Sequence, residues 1–149
     1  MHPAMLHIHS VIRFIVIFGS VISVLLSLAG WFGNKEYSKG NKILNLVTLI
    51  SAHIQLVVGL ILYFISPIVN AASFGEAMKD STLRYWKVEH MAMMVVAIVL
   101  ITIGYSKSKR ALASVEKHRT IAIFYTLAII VVLAALSMSG RGLFGMTGA

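Results

Sequence analysis

The stretch ILNLVTLISAHIQLVVGLILYFISPI, residues 43–68, contains no Asp, Glu, Lys or Arg, and its reading decides the fold. About 20 consecutive apolar residues carry a helix across the hydrocarbon core of a bilayer. The run is too long for a strand, and it does not alternate polar and apolar residues as a membrane-barrel strand does. Three further apolar runs accompany it, Met5–Phe32 before and Tyr85–Tyr105 and Thr120–Met138 after. Charged residues make up 12% of the chain, against about 25% in soluble domains, and they gather in short clusters between the runs. The expectation is an all-α, integral membrane four-helix bundle, a single domain over residues 1–149 with helices at about 5–32, 43–68, 85–105 and 120–138.

A net charge of +8 raises the question of nucleic acid, but the positions of the charges answer it. Lys35, Lys39 and Lys42 lie in the segment Gly33–Lys42, and Lys107, Lys109, Arg110, Lys117 and Arg119 lie in Ser106–Arg119. Both segments fall on one face of the membrane, and they hold eight of the 13 basic residues. Loops on the cytoplasmic side carry such an excess, so these two are assigned inside, with both termini and Pro67–Arg84 outside. In a bacterium that is the inner (cytoplasmic) membrane. The charge reports topology, with some attraction to anionic lipid, and no nucleic-acid partner is expected. Cysteine is absent, which excludes disulfides and thiolate metal sites. The first run lacks a basic start, and His9 and Arg13 sit where it begins, so it reads as a retained helix rather than a signal peptide.

Pro3 suits a first helical turn, and Gly33, Asn34 and Gly40 mark a turn. Ser66-Pro67 closes the second helix, and Ala71–Met78 suits a short interfacial helix. Tyr63, Tyr85 and Trp86 near one interface and Trp31 near the other form aromatic belts. The tail Ser139–Ala149 reads as flexible.

Ionisable residues at membrane depth are costly and mark functional sites by default. Here every helix carries histidine: His7 and His9 with Arg13, then His53, then His90 preceded by Glu89, then His118. At 100° per residue, His9, Arg13, Ser20, Ser23 and Ser27 share one stripe within about 40° of His9. Small and hydroxylated residues face neighbouring helices in membranes, so this stripe is the interior face and His7 points away. Comparable stripes are His90, Met94, Ala97, Ile101 and Gly104 in the third helix, and His118, Ala122, Tyr125 and Ile129 in the fourth. In the second, Asn45, Thr48, Ala52, Gly59 and Tyr63 align, with His53 offset to one flank. Ala52 and Gly59 leave room for a close helix or a flat ligand. Counting along the helices puts His90 level with either His9 or His53, and His118 at the opposite boundary.

Neutral imidazole is the usual protein ligand of haem iron, and bundle cores hold cofactors between facing helices. Two histidines on different helices suit axial ligation, with His90 the first choice and His53 or His9 its partner. Arg13 adds a guanidinium one turn from His9, the natural partner of a haem propionate. Against these stand plainer roles. His118, between Lys117 and Arg119, suits a solvated boundary residue, His53 a hydrogen bond across helices, and Met91, Met93 and Met94 adaptable packing. His9, His90 and Met94 also suit copper or another handled metal. No phosphate-binding glycine loop and no Ser–His–Asp arrangement occurs, so a catalytic set is not assigned.

Taken together, Leu6-His7-Ile8-His9-Ser10 with Arg13, His53-Ile54-Gln55-Leu56 running to Tyr63-Phe64 and Ser66-Pro67, Glu89-His90 with Met93-Met94, and Lys117-His118 with Tyr125 resemble small bacterial four-helix membrane proteins labelled cytochrome b-like. The likeness runs from Leu6 to about Leu136 and rests on order and spacing. It implies a haem b-binding membrane protein of a respiratory or other electron-transfer chain, with redox partners or a larger complex and a quinone compatible with that setting. Its histidine pattern matches at His9, His53, His90 and His118. The expectation is a cytochrome that relays electrons rather than an enzyme with its own substrate chemistry. The alternatives are a haem-free accessory subunit of a membrane complex and a metal-handling protein.

Overall fold

A computed structural model of the chain describes residues 2–65, 79 and 89–139. Within them lie four helices: α1 (His2–Phe32), α2 (Lys39–Ile65), α3 (His90–Arg110) and α4 (Ser114–Ser139). Each is long and apolar enough to cross a membrane. The expected interfacial helix Ala71–Met78, the Ser66-Pro67 stop, Tyr85, Trp86 and the tail beyond Ser139 lie outside the described residues.

The helices form an up-down-up-down bundle. α1 packs on α2 and α4, and α3 packs on α4 and more sparingly on α2, so α1 and α3 occupy one diagonal. The burial pattern is that of a membrane bundle, since van der Waals fit and hydrogen bonds rather than apolar burial join helices in lipid. Ser20, Ser23, Ser27, Asn45 and Thr48 are buried, whereas Leu25, Val57 and Ile130 are exposed. The interior stripes follow the expected register: His9 and Arg13 are buried, and so are Ala97, Ile101, Ala122 and Tyr125. His7 faces outward.

At the basic end the helices run further than hydropathy suggests. α2 begins at Lys39 rather than Ile43, α3 continues to Arg110 rather than stopping at Tyr105, and α4 begins at Ser114 rather than Thr120. The cause is that hydropathy reports the apolar span, while Lys and Arg are good helix formers that extend a helix past the hydrocarbon. Only residues 33–38 and 111–113 remain as connections. α1 ends in a Schellman turn: Asn34 takes a left-handed φ of 50°, and the Lys35 N–H reaches the Gly30 carbonyl at 2.9 Å. Ser38 then caps α2. Its Oγ accepts from the Asn41 N–H at 3.2 Å while Asn41 Oδ1 accepts from the Ser38 N–H at 2.9 Å, a reciprocal capping box. The Lys117 ammonium donates to the Ser108 carbonyl at 3.0 Å, which satisfies the last turn of α3 and draws the α3–α4 hairpin tight.

Candidate functional site

At the end of the bundle opposite the lysines, α1 and α3 bring His9 and His90 together across the diagonal. Their ring centroids are 6.4 Å apart, with the planes tilted by 58°. An imidazole nitrogen binds a first-row metal at about 2.0–2.1 Å and lies about 1 Å from its ring centre, so two rings on opposite sides of one ion stand about 6 Å apart. The observed centroid spacing is of that size. On α2, Gly59 lies against His9, so that a Cβ built there would meet His9 Nε2 at 3.6 Å. A methyl is tolerated at that distance, but a larger side chain would occupy the space beside the imidazole.

The polar groups around this pair are under-satisfied. Among the described residues seven buried side-chain atoms lack a hydrogen-bond partner, and five of them cluster here: His9 Nδ1, Ser10 Oγ, Arg13 Nε and Nη2, and Gln55 Oε1. Each such atom costs about 1–3 kcal/mol, more when the group is charged. Arg13 is 8% exposed, and its guanidinium carbon is 5.0 Å from the Phe14 ring centre. Two unsatisfied guanidinium N–H groups beside two imidazoles suit a ligand that brings a carboxylate and a metal together. Gln55 fixes the α1–α2 contact by donating to the His9 carbonyl at 2.9 Å.

The other histidines stand apart from this pair. His53 is exposed at the sparse α2–α3 seam; its Nδ1 lies 2.8 Å from the Leu49 carbonyl and its Nε2 3.4 Å from Thr102 Oγ1. That is the hydrogen-bonding role available to a polar residue in a membrane helix. His118 lies at the basic end and is 1% exposed, so it is not a solvated boundary residue. Its Nε2 is 3.3 Å from the Glu36 carbonyl, Tyr37 packs edge-on at 5.1 Å, and the ring presses on Gly30 so closely that a Cβ there would collide with it. Nearby, the Tyr125 hydroxyl donates to the Asn45 carbonyl at 2.9 Å and Asn45 Nδ2 donates to the Tyr37 hydroxyl at 2.8 Å. Met94 is half-buried on α3. Among the described residues no group of three His, Cys, Asp or Glu is placed to hold a metal ion.

Comparison with protein-family models, curated proteins and solved structures returns no match to this chain. The site therefore stands on its own geometry. Sequence reasoning gave no role to Gln55 and Ser10. The available signal was Gln55 itself, an amide within an otherwise apolar membrane run, where a polar side chain requires a partner.

Proposed function

We propose that the chain is a haem b-binding membrane cytochrome that relays electrons within a respiratory or other redox chain. The observation that carries this is the diagonal His9–His90 pair at 6.4 Å. Support comes from Arg13 nearby, whose buried Nε and Nη2 have no hydrogen-bond partner.

Bound haem supplies one-electron chemistry at its iron. His9 and His90 would hold the group through their imidazoles. Arg13 would hold a propionate through a charge-assisted bond and, by its positive charge, favour the reduced iron. Gln55 positions the His9 turn of α1 against α2, and the small Gly59 keeps space beside the ring. The apolar walls of the bundle exclude water.

The test is a dithionite-reduced minus oxidised absorbance spectrum of protein expressed with added haem precursor. A sharp α band with acid-acetone-extractable haem is expected. A colourless protein refutes haem binding and leaves the accessory-subunit role. The same reading places the chain in the inner membrane with both termini outside, because the basic residues concentrate at the other end. A phosphatase fused at the C-terminus should be active and one fused near Lys39 inactive; an active Lys39 fusion reverses the orientation.

A further inference from the structure

The basic end holds a second feature, independent of the histidine pair. Where the start of α2, the end of α3 and the start of α4 converge, a cleft of about 270 Å³ opens between them, near the lower end of small-ligand pockets at about 300 Å³. Four of its lining residues are Lys39, Lys42, Lys109 and Lys117, two more are Tyr37 and Tyr105, and no acidic side chain lines it.

Four ammonium groups around one cleft repel one another, and the repulsion is relieved when an anion sits among them. Parts of this wall are fixed in place. Lys117 is held by the Ser108 carbonyl at 3.0 Å and the Lys109 carbonyl at 3.4 Å, and its ammonium lies 5.8 Å from the Tyr37 ring centre. Tyr37 is itself anchored, its N–H donating to Ser114 Oγ at 3.0 Å and its hydroxyl accepting from Asn45. Because that hydroxyl accepts from Asn45, its own O–H stays a donor. Lys39, Lys42 and Lys109 are exposed, so their long side chains can close on a guest. α2 starts at Lys39, which adds the positive end of its helix dipole. The ligand chemistry that matches several ammonium donors and a phenol is phosphate. The location, at the ends of membrane-spanning helices, is where basic pockets between helices take lipid headgroups.

We infer that this cleft is a binding site for a phosphate group, presented either by an anionic phospholipid headgroup or by a soluble phosphate. The chain supplies Lys39, Lys42, Lys109 and Lys117 as charge partners, with Tyr37 as part of the fixed wall.

The test uses the full chain in dodecylmaltoside micelles. In one arm, native mass spectrometry counts bound dilauroylphosphatidylglycerol against dilauroylphosphatidylcholine. In the other, the thermal unfolding midpoint is followed with inorganic phosphate against chloride at matched ionic strength. Saturable binding of phosphatidylglycerol without a phosphate response identifies the lipid source. A saturable phosphate response without lipid preference identifies the soluble one. In either case Lys42→Gln with Lys109→Gln should weaken binding roughly tenfold to thirtyfold, and Lys42→Arg with Lys109→Arg should retain it. The control is Lys35→Gln with Arg119→Gln, which removes the same charge from exposed positions outside the cleft and should change affinity by less than about threefold. Equal weakening in the two Gln double variants, or no saturable response to either probe, overturns the site. A colourless protein would leave this result untouched.

Discussion

Gly30→Ala should be destabilising only while His118 is present. The added methyl would run into the imidazole of His118, and the ring has nowhere to go: it is 1% exposed, covered by Tyr37 at 5.1 Å and tied to the Glu36 carbonyl at 3.3 Å. Overpacking of this kind costs about 1–3 kcal/mol, and a pinned ring puts the cost near the upper figure. Against it stands the better helix propensity of Ala over Gly, about 1 kcal/mol, so the net loss is about 2 kcal/mol. In a His118→Ala background the collision is gone and the same substitution should stabilise by up to about 1 kcal/mol. The coupling between the two positions is then about 3 kcal/mol, at the top of the range for residues in contact. Reversible unfolding in mixed dodecyl sulfate and dodecylmaltoside micelles, followed by circular dichroism for all four variants, measures it. An equal cost of Gly30→Ala in both backgrounds would refute the close seating of His118 on α1. The haem spectrum of His118→Ala should be unchanged, because the ring belongs to the packing of the basic end.

Three further outcomes follow from the geometry. His9→Ala and His90→Ala should each abolish low-spin haem or leave a five-coordinate species, with His7→Ala unaffected; an unchanged spectrum in His90→Ala rejects the pair. Arg13→Ala should keep two axial ligands but weaken haem binding by about 1.5–3 kcal/mol, the range for a hydrogen bond to a charged group, and lower the midpoint potential in a redox titration; a raised potential contradicts a propionate contact. Tyr125→Phe removes the hydroxyl that donates to Asn45 and should cost about 0.6–1.5 kcal/mol in the same unfolding assay; no loss would show that the bond adds nothing to the α2–α4 contact.

The spans and interior faces were legible because they are one-dimensional properties of the chain. Apolar length marks the helices, and the 100° step puts His9, Arg13, Ser20, Ser23 and Ser27 on one buried stripe with His7 outside it. What the stripe does not contain is the choice of neighbour. His90 was level with either His9 or His53 by counting residues, and only the diagonal placement of α1 and α3 brings His9 to it. His118 shows the same limit. Its flanking Lys117 and Arg119 read as boundary residues, and Arg119 is exposed. Lys117 instead turns back onto the Ser108 carbonyl and His118 turns inward over Gly30, a glycine whose importance depends entirely on a helix remote in sequence. The ends of α2, α3 and α4 escaped for a different reason, since charged helical turns beyond the hydrocarbon leave no hydropathy signal.

The two ends of the bundle impose a division of labour on the proposed cytochrome. From His9 to Gly30 is 21 helical residues, or about 31 Å at 1.5 Å each, close to the thickness of the hydrocarbon core at about 30 Å. His118, seated on Gly30, therefore lies a membrane thickness from the His9–His90 pair, and a haem between that pair stands at one edge of the bilayer. His53 lies between these levels but faces the α2–α3 seam, with its nitrogens directed to Leu49 and Thr102. On the proposed reading, a haem held there would exchange electrons with partners at the end opposite the lysines. On that reading, passage to the basic end would need a second carrier. At the α2–α3 seam the polar groups of His53 and Thr102 are already engaged, with the Leu49 carbonyl, with each other and with the Ile98 carbonyl. His53→Ala should therefore leave the haem spectrum unchanged; a lost or shifted α band in that variant would show that His53 rather than His9 partners His90.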